Sequence, residues 1–432
     1  MSLSTQPYKG TRDFYPADQR IQSWMFNRMR QVVERFGYEQ YDGPMLEPFE
    51  LYAAKSGEEL VNQQLYWLMD RGERKLAIRP EMTPTLARMV AAKIHELPRP
   101  VRWYSLPNLW RYERPQRGRL REHWQLNVDV LGGDALLGDA EILTLALDLM
   151  KSFGGEKFVT VKVNNRRLMD HVFTEILGLD AATALATSKA IDARAKVGEE
   201  AYAKMLGELG LSGVQQSRLE KFFKSTFDEV AKTLPCPGVE ELKSLFKMLE
   251  ESGVSEQVVF DSTIMRGLNY YTGTVFEMYD ISPENSRAIF GGGRYDNLVG
   301  LFGNHKLSGV GFGMGDVTLR NFIETHKLMP ELNLGVDVFV SLPKLELRGV
   351  AEKIAHSLRE KGLKVITPLG CDGFGAQLKL ATKHQARFAV LLGEQELTEN
   401  KVVIKDLKIG EQKVVPISEV AAYVLGALRA SF

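Results

Sequence analysis

MRGLNYYTGTVFEMYD, residues 265–280, sets an arginine and a tyrosine pair at a glycine-bounded turn that runs into an apolar strand. Farther along, IFGGGRYDNLVG (289–300) repeats the glycine, arginine and tyrosine theme. GVGFGMG (309–315) then puts glycine at every second residue, so one face of that strand has no side chains. A flat ligand can lie directly on such backbone, and consecutive glycines beside Arg294 and Tyr295 give a substrate room plus hydrogen-bond donors. A strand crossing closely under a helix, or tight hairpins with capping side chains, would use the same residues. Neither G-x-G-x-x-G nor G-x-x-x-x-G-K-[ST] can be read from these segments, so a nucleotide used by this chain is held without a P-loop.

Outward from this strand-rich stretch, the rest of the chain sorts by period. Between Asp18 and Phe36 the residues Ile21, Trp24, Met25, Val32, Val33 and Phe36 fall on one side of a helix that Gly37 stops. Strands are expected at 101–106, 124–131 and 158–163, with a helix from Asp139. Residues 166–257 are mostly helix formers and read as a helical insertion, after which 258–327 resumes the first domain. From 331 to 432, strands at 336–342, 363–367 and 387–393 alternate with helices, which implies βαβ crossovers and a small mixed or parallel sheet. The fold class is therefore α+β: a first domain in two parts (1–165 and 258–327), an insertion (166–257) and a C-terminal α/β domain (331–432).

The 432 residues are 44% hydrophobic and 25% charged, enough apolar material for real cores, which excludes disorder and collagen. Lys plus Arg and Asp plus Glu number 55 each, so any contact with a polyanion uses local patches rather than an overall field. Cys236 and Cys371 form no C-x-x-C pair, which leaves no zinc cage or disulfide framework and suggests a reducing, cytoplasmic setting. No stretch approaches the roughly 18 apolar residues of a membrane span. One local patch stands out: VRWYSLPNLWRYERPQRGRLR (101–121) holds six arginines against one glutamate. An exposed basic hairpin tip would account for it, but Arg111 lies in the lead-in strand and Arg119 and Arg121 return after the turn. Arginines on adjacent strands can clamp a phosphate through their forked donors.

Taken together, KGTRDFYP (9–16), RPEMT (79–83), RYERPQRGR (111–119), RGLNYYTG (266–273) and GGRYDNLV (292–299) resemble, in order, the signature segments of the histidyl-tRNA synthetases. The blocks at 375–394 and 402–412 resemble that family's anticodon-binding domain. The resemblance implies an antiparallel class II sheet, activation of L-histidine by ATP with Mg²⁺, transfer to tRNA(His), no membrane association, and a homodimer formed around Pro44. It implies that Arg111 and Arg266 are catalytic, meeting the α-phosphate from opposite sides. Glu81, Thr83, Gln125, Asp129, Tyr270, Tyr271 and Tyr295 would bind histidine, and Arg111, Glu113, Arg119, His123, Gly311 and Gly313 would bind ATP. Gln116 and Arg121 would meet the tRNA acceptor end. No metal ligand is assigned.

Three positions depart from the family pattern. Asp129 replaces the usual glutamate of the imidazole pocket, His123 replaces the phenylalanine stacked on adenine, and Val317–Thr318 replaces the glutamate–arginine that ends the third class II motif. Arg320, two residues on, points to a different side of its helix, so another cation must cover adenine's second face. The runner-up reading is a catalytically silent paralogue, a regulatory subunit of ATP phosphoribosyltransferase. Such paralogues lack the C-terminal domain, whereas residues 336–430 look complete.

Overall fold

The structure is a computed structural model that describes residues 3–53, 60–265, 270–332 and 335–429. The chain divides into two compact units, Met1–Pro330 and Glu331–Phe432.

In the first unit the strands are β1 (Glu39–Gln40), β2 (Leu46–Pro48), β3 (Trp67–Met69), β4 (Lys75–Ile78), β5 (Val101–Ser105), β6 (Asn108–Trp110), β7 (Glu122–Leu131), β8 (Val159–Asn165), β9 (Val258–Phe260), β10 (Thr274–Asp280), β11 (Ala288–Tyr295) and β12 (Gly309–Gly315). Among the described residues they build a nine-stranded sheet in the order β1-β5-β7-β12-β11-β10-β8-β9, with β6 also on β7, and a three-stranded sheet β2-β4-β3. The large sheet is antiparallel except at its edges, where β1 joins β5 and β9 joins β8 in parallel.

Strand alternation separates its two faces. Leu126, Val128 and Val130 of β7, with Val310, Phe312 and Met314 of β12, enter one apolar core with Met25, Met29 and Val33 of helix Pro16–Arg35 and Leu143 and Leu149 of helix Ala135–Ser152. The residues between them face the other way. The glycine triplet lies within β11 rather than in a turn: a β-carbon on Gly292 would come 2.0 Å from the Gly311 carbonyl oxygen. The same alternation takes Arg294 away from the substrate side expected for it. It is buried beside Asp139 at 2.6 Å and also donates to the Ala135 carbonyl.

Helices fill most of 166–251. Their starts are written in the sequence: Asp180 caps Ala182 and Thr183, while Ser212 with Gln215 and Thr226 with Glu229 form capping boxes. Pro237 occupies the first turn of helix Pro237–Glu251.

The second unit holds β13 (Val338–Val340), β14 (Val365–Ile366), β15 (Phe388–Leu391), β16 (Lys401–Asp406) and β17 (Gln412–Pro416) in the order β14-β13-β15-β16-β17. The first two pairings are parallel and the last two antiparallel. The sheet is thus mixed, extended by a hairpin that turns at Gly410 with φ +81°, and its core gathers Val338, Val340, Ile354, Leu358, Phe388, Val390 and Ile404. Among the described residues no helix is long and apolar enough to cross a membrane.

Candidate active site

β7 carries the site because alternation puts Gln125, Asn127 and Asp129 in a row on the face opposite the core. The glycines of β12 make room for that row. A β-carbon at Gly309 would lie 2.6 Å from the Tyr295 ring, one at Gly311 would lie 2.3 Å from Asp129 Oδ1, and one at Gly313 would lie 1.7 Å from Gln125 Nε2. The bare face is therefore roofed by side chains of its neighbours, and Gly311 and Gly313 seat Asp129 and Gln125 instead of offering open backbone to a flat ligand.

One end of the groove is closed. The Tyr295 hydroxyl donates to Asp129 Oδ1, and the Tyr270 hydroxyl donates to Glu81 Oε2 at 3.1 Å. Thr83, at the start of helix Thr83–Ala92, lies close enough to the Tyr270 hydroxyl to favour its ionised form slightly, against the larger effect of burial. The Tyr270 ring stands edge-on to Tyr295 at 5.9 Å and tilted against Tyr271 at 5.1 Å. Burial raises the Asp129 carboxyl to about 7, against the opposing hydrogen bond from Tyr295. Burial first, then the nearby carboxylates, push the phenols of Tyr270 and Tyr295 far up, so both remain hydrogen-bond donors. Tyr41, buried and raised by burial and by Asp129, belongs to the same cluster.

The other end is open. A cavity of about 140 Å³ is lined by Arg111, Glu113, Arg119, His123, Gln125 and Thr318, among others. Arg111 Nε donates to the Pro80 carbonyl at 2.9 Å, which fixes its guanidinium. Arg119 pairs with Glu113 at 2.8 Å. Burial, then the charge of Arg111, lowers the His123 imidazole to about 3, so it is a neutral ring. Between β6 and β7 the chain turns over a tight tip in which Gln116 and Arg119 exchange backbone hydrogen bonds of 2.9 Å, with Gly118 at φ +77°.

The N-terminal segment straps this end. The Gly10 carbonyl accepts from the amides of Arg121 and Glu122, Arg12 pairs with Asp316 at 2.7 Å, and Phe14 stands edge-on to Trp124 at 5.2 Å. Asp316 also accepts from the Trp124 amide at 2.9 Å. Arg121 is engaged by the protein's own groups: it stacks on Tyr112 at 4.0 Å, donates to Tyr8 Oη at 2.5 Å, and donates to the Glu113 carbonyl at 3.2 Å. Gln116 is exposed at the tip.

The structure thus gathers Glu81, Thr83, Asp129, Tyr270, Tyr271 and Tyr295 at the closed end and Arg111, Glu113, Arg119 and His123 at the open end, with Gln125 between. Arg266 lies outside the described residues. Sequence reading missed Asn127, which exchanges hydrogen bonds with Gln125; strand parity alone was enough to find it. It also missed Tyr41, which only the folded cluster reveals.

A protein-family model described as histidyl-tRNA synthetase matches residues 10–317. The chain belongs to the histidyl-tRNA synthetase family. A second model, the anticodon binding domain, matches residues 337–426 of the synthetase. Over 426 residues the synthetase is 43% identical to a histidine–tRNA ligase of Leptospira biflexa, covering 96% of each chain. It is 38% identical to a histidine–tRNA ligase of Haloarcula marismortui over 420 residues, 95% of each. Among solved structures it resembles histidyl-tRNA synthetase from Nostoc sp. PCC 7120 with a TM-score of 0.81 at 27% identity, covering 99% of this chain and 100% of that one. The architecture is that of a class II synthetase with a C-terminal anticodon-binding domain. The synthetase is an enzyme that activates L-histidine with ATP and transfers the histidyl group to the 3′ end of tRNA(His). The regulatory-paralogue alternative is not favoured, since the relatives matched over nearly the whole chain are ligases and the anticodon-binding domain is present.

Proposed function

We propose that the closed end selects histidine and the open cavity takes ATP, with the reaction occurring where Gln125 and Arg111 meet. The observation that carries this reading is the placement on one strand face of a buried, hydrogen-bonded carboxylate, Asp129, and a cation-lined cavity, with Gln125 between them. The Asp129 carboxyl and the tyrosine hydroxyls offer an imidazole polar partners that an aliphatic side chain would leave unpaired, and Glu81, Thr83 and Gln125 receive the ammonium group. The histidine carboxylate then attacks the α-phosphorus: a carboxylate oxygen–phosphorus bond forms, and the bond to the bridging oxygen breaks as pyrophosphate leaves. Arg111, held by Pro80, faces the negative charge that grows on the α-phosphate oxygens, Arg266, outside the described residues, carries the second positive charge that the resemblance assigns to this step, and Arg119 meets the outer phosphates. Glu113 accepts from the adenine amino group once Arg119 has turned to phosphate, and neutral His123 stacks on the ring.

Among the described residues no three of His, Cys, Asp or Glu gather to hold a metal ion. The donor set therefore suits magnesium carried in on the phosphates of ATP, where it would neutralise charge, rather than a resident ion. Gln116, exposed at the hairpin tip, and Arg121 meet the acceptor end of tRNA(His). A homodimer fits the exposed apolar side chains near Pro44: Met45 just before the small sheet, and Leu46, Trp67, Leu68 and Met69 on it. A cytoplasmic setting fits two free cysteines, one of them exposed.

The test is ATP–pyrophosphate exchange with a panel of amino acids. Exchange should depend on L-histidine, and exchange that proceeds equally with other amino acids would remove selection from the closed end.

A further inference from the structure

The end of the third class II motif presents Thr318 where the resemblance leads one to expect an arginine, and the cavity beside it is lined by two cations, Arg111 and Arg119. Thr318 does not reach over the cavity. Its hydroxyl donates to the Ile289 carbonyl at 2.6 Å and lies 3.2 Å from the Gly315 carbonyl, which ties it to β11. Two residues before Ile289, immediately ahead of β11, stands Arg287. A β-carbon on the cavity-lining Gly118 would lie 3.4 Å from Thr318 Cγ2 and 3.8 Å from Arg287 Cδ, so the arginine stem runs beside the threonine at the same wall. Its guanidinium senses Arg119 and Glu113, both cavity residues; burial and the Arg119 charge hold its pKa below the usual arginine value, against Glu113.

The neighbouring arginines are already held. Arg12 pairs with Asp316, Arg111 bonds Pro80, Arg117 bonds Asn285 and Thr325, and Arg119 pairs with Glu113. Arg320 pairs with Glu324 and Asp18, on another side of its helix. Arg287 makes no hydrogen bond or salt bridge with another described residue. Arg287 is not itself a lining residue, but its stem lies against Gly118 of the wall, and a guanidinium there without a hydrogen-bonded partner among the described residues is available to a ligand, its flat face suiting an aromatic ring.

We propose that Arg287 is the cation that covers the purine base of ATP, delivered from the start of β11 instead of from the helix that follows β12. The threonine is then part of the same arrangement, because an arginine at 318 would compete for the space that Arg287 uses and would lose the bond to Ile289. The proposal rests on the reading that this cavity takes the nucleotide.

The experiment is Arg287→Ala in the full chain, read by calorimetric binding of adenosine, which has the base and no phosphate, and by the KM values for ATP and histidine in pyrophosphate exchange. Adenosine binding and the ATP KM should weaken together by about 3- to 30-fold, the range of a cation–π contact, with the histidine KM unmoved. Unchanged adenosine binding overturns the proposal, as does a loss confined to ATP, which would make Arg287 a phosphate contact. Wild-type protein that binds adenosine without histidine-dependent exchange would instead sink the catalytic reading, and the adenosine comparison would still decide the role of Arg287.

Discussion

The two ends of the groove are built on the same strand by different physics. At the closed end the two carboxyls are buried and already paired, Asp129 with Tyr295 and Glu81 with Tyr270. At the open end charged groups line a solvent-connected cavity, and Arg119 with Glu113 form a pair that a ligand can exchange for its own contacts. Buried polar groups left unmatched cost about 1–3 kcal/mol each, so the closed end discriminates sharply and tolerates little change. On the proposed reading the work at the open end is shared by Arg111, Arg119 and the nearby Arg287, so one cation can be lost or moved. The substitutions follow this division: Asp129 differs from the family's glutamate by one methylene and keeps the carboxyl, whereas Thr318 abandons a guanidinium outright.

In the proposed reaction Arg111 stands beside Gln125, where the two ends join, and its charge faces the transition state. Arg111→Ala should slow histidine-dependent exchange by about 10²- to 10³-fold, the range seen when one preorganised donor to a developing oxyanion is removed. A loss under tenfold would show that the open end's redundancy extends to the reacting phosphate.

A smaller effect sharpens the account of the closed end. The folded Asp129 carboxyl keeps its proton to about pH 7, whereas an unfolded aspartate loses it near 3.8. Between those values the folded state binds the extra proton, so this group's contribution to stability is full at low pH and falls as pH rises, by at most about 1.4 kcal/mol per pH unit. Asp129→Asn does not titrate. The urea midpoint of wild type relative to the variant should therefore be higher at pH 5 than at pH 8, and a constant difference would mean that Asp129 is ionised throughout.

Much of this division was legible in the sequence because it depends on order and period. Segments in series carried the family resemblance, and alternation along 122–131 carries the row Gln125, Asn127 and Asp129. Less legible was anything set by register between strands. GVGFGMG reads as bare backbone, but only the pairing of Gly311 with Asp129 shows what fills the space. Arg294 reads as a substrate donor beside its glycines, and one step of strand parity sends it to the helix side with Asp139. Arg287 has no local motif at all, since its position depends on a contact with Gly118, more than a hundred residues earlier in the chain. The hairpin of β16 and β17 escaped for another reason: VVIKDLKIGEQKVVP alternates weakly, and its turn at Gly410 is the clearest local sign.

The division itself is tested most directly by steady-state exchange kinetics of Asp129→Ala with each substrate varied in turn. Removing the carboxylate leaves the Tyr295 hydroxyl and the imidazole unpaired, so the KM for histidine should rise about 10- to 100-fold while the KM for ATP stays near that of wild type. Equal rises in both constants, or an unchanged histidine KM, would contradict the assignment of the closed end to histidine and the cavity to ATP.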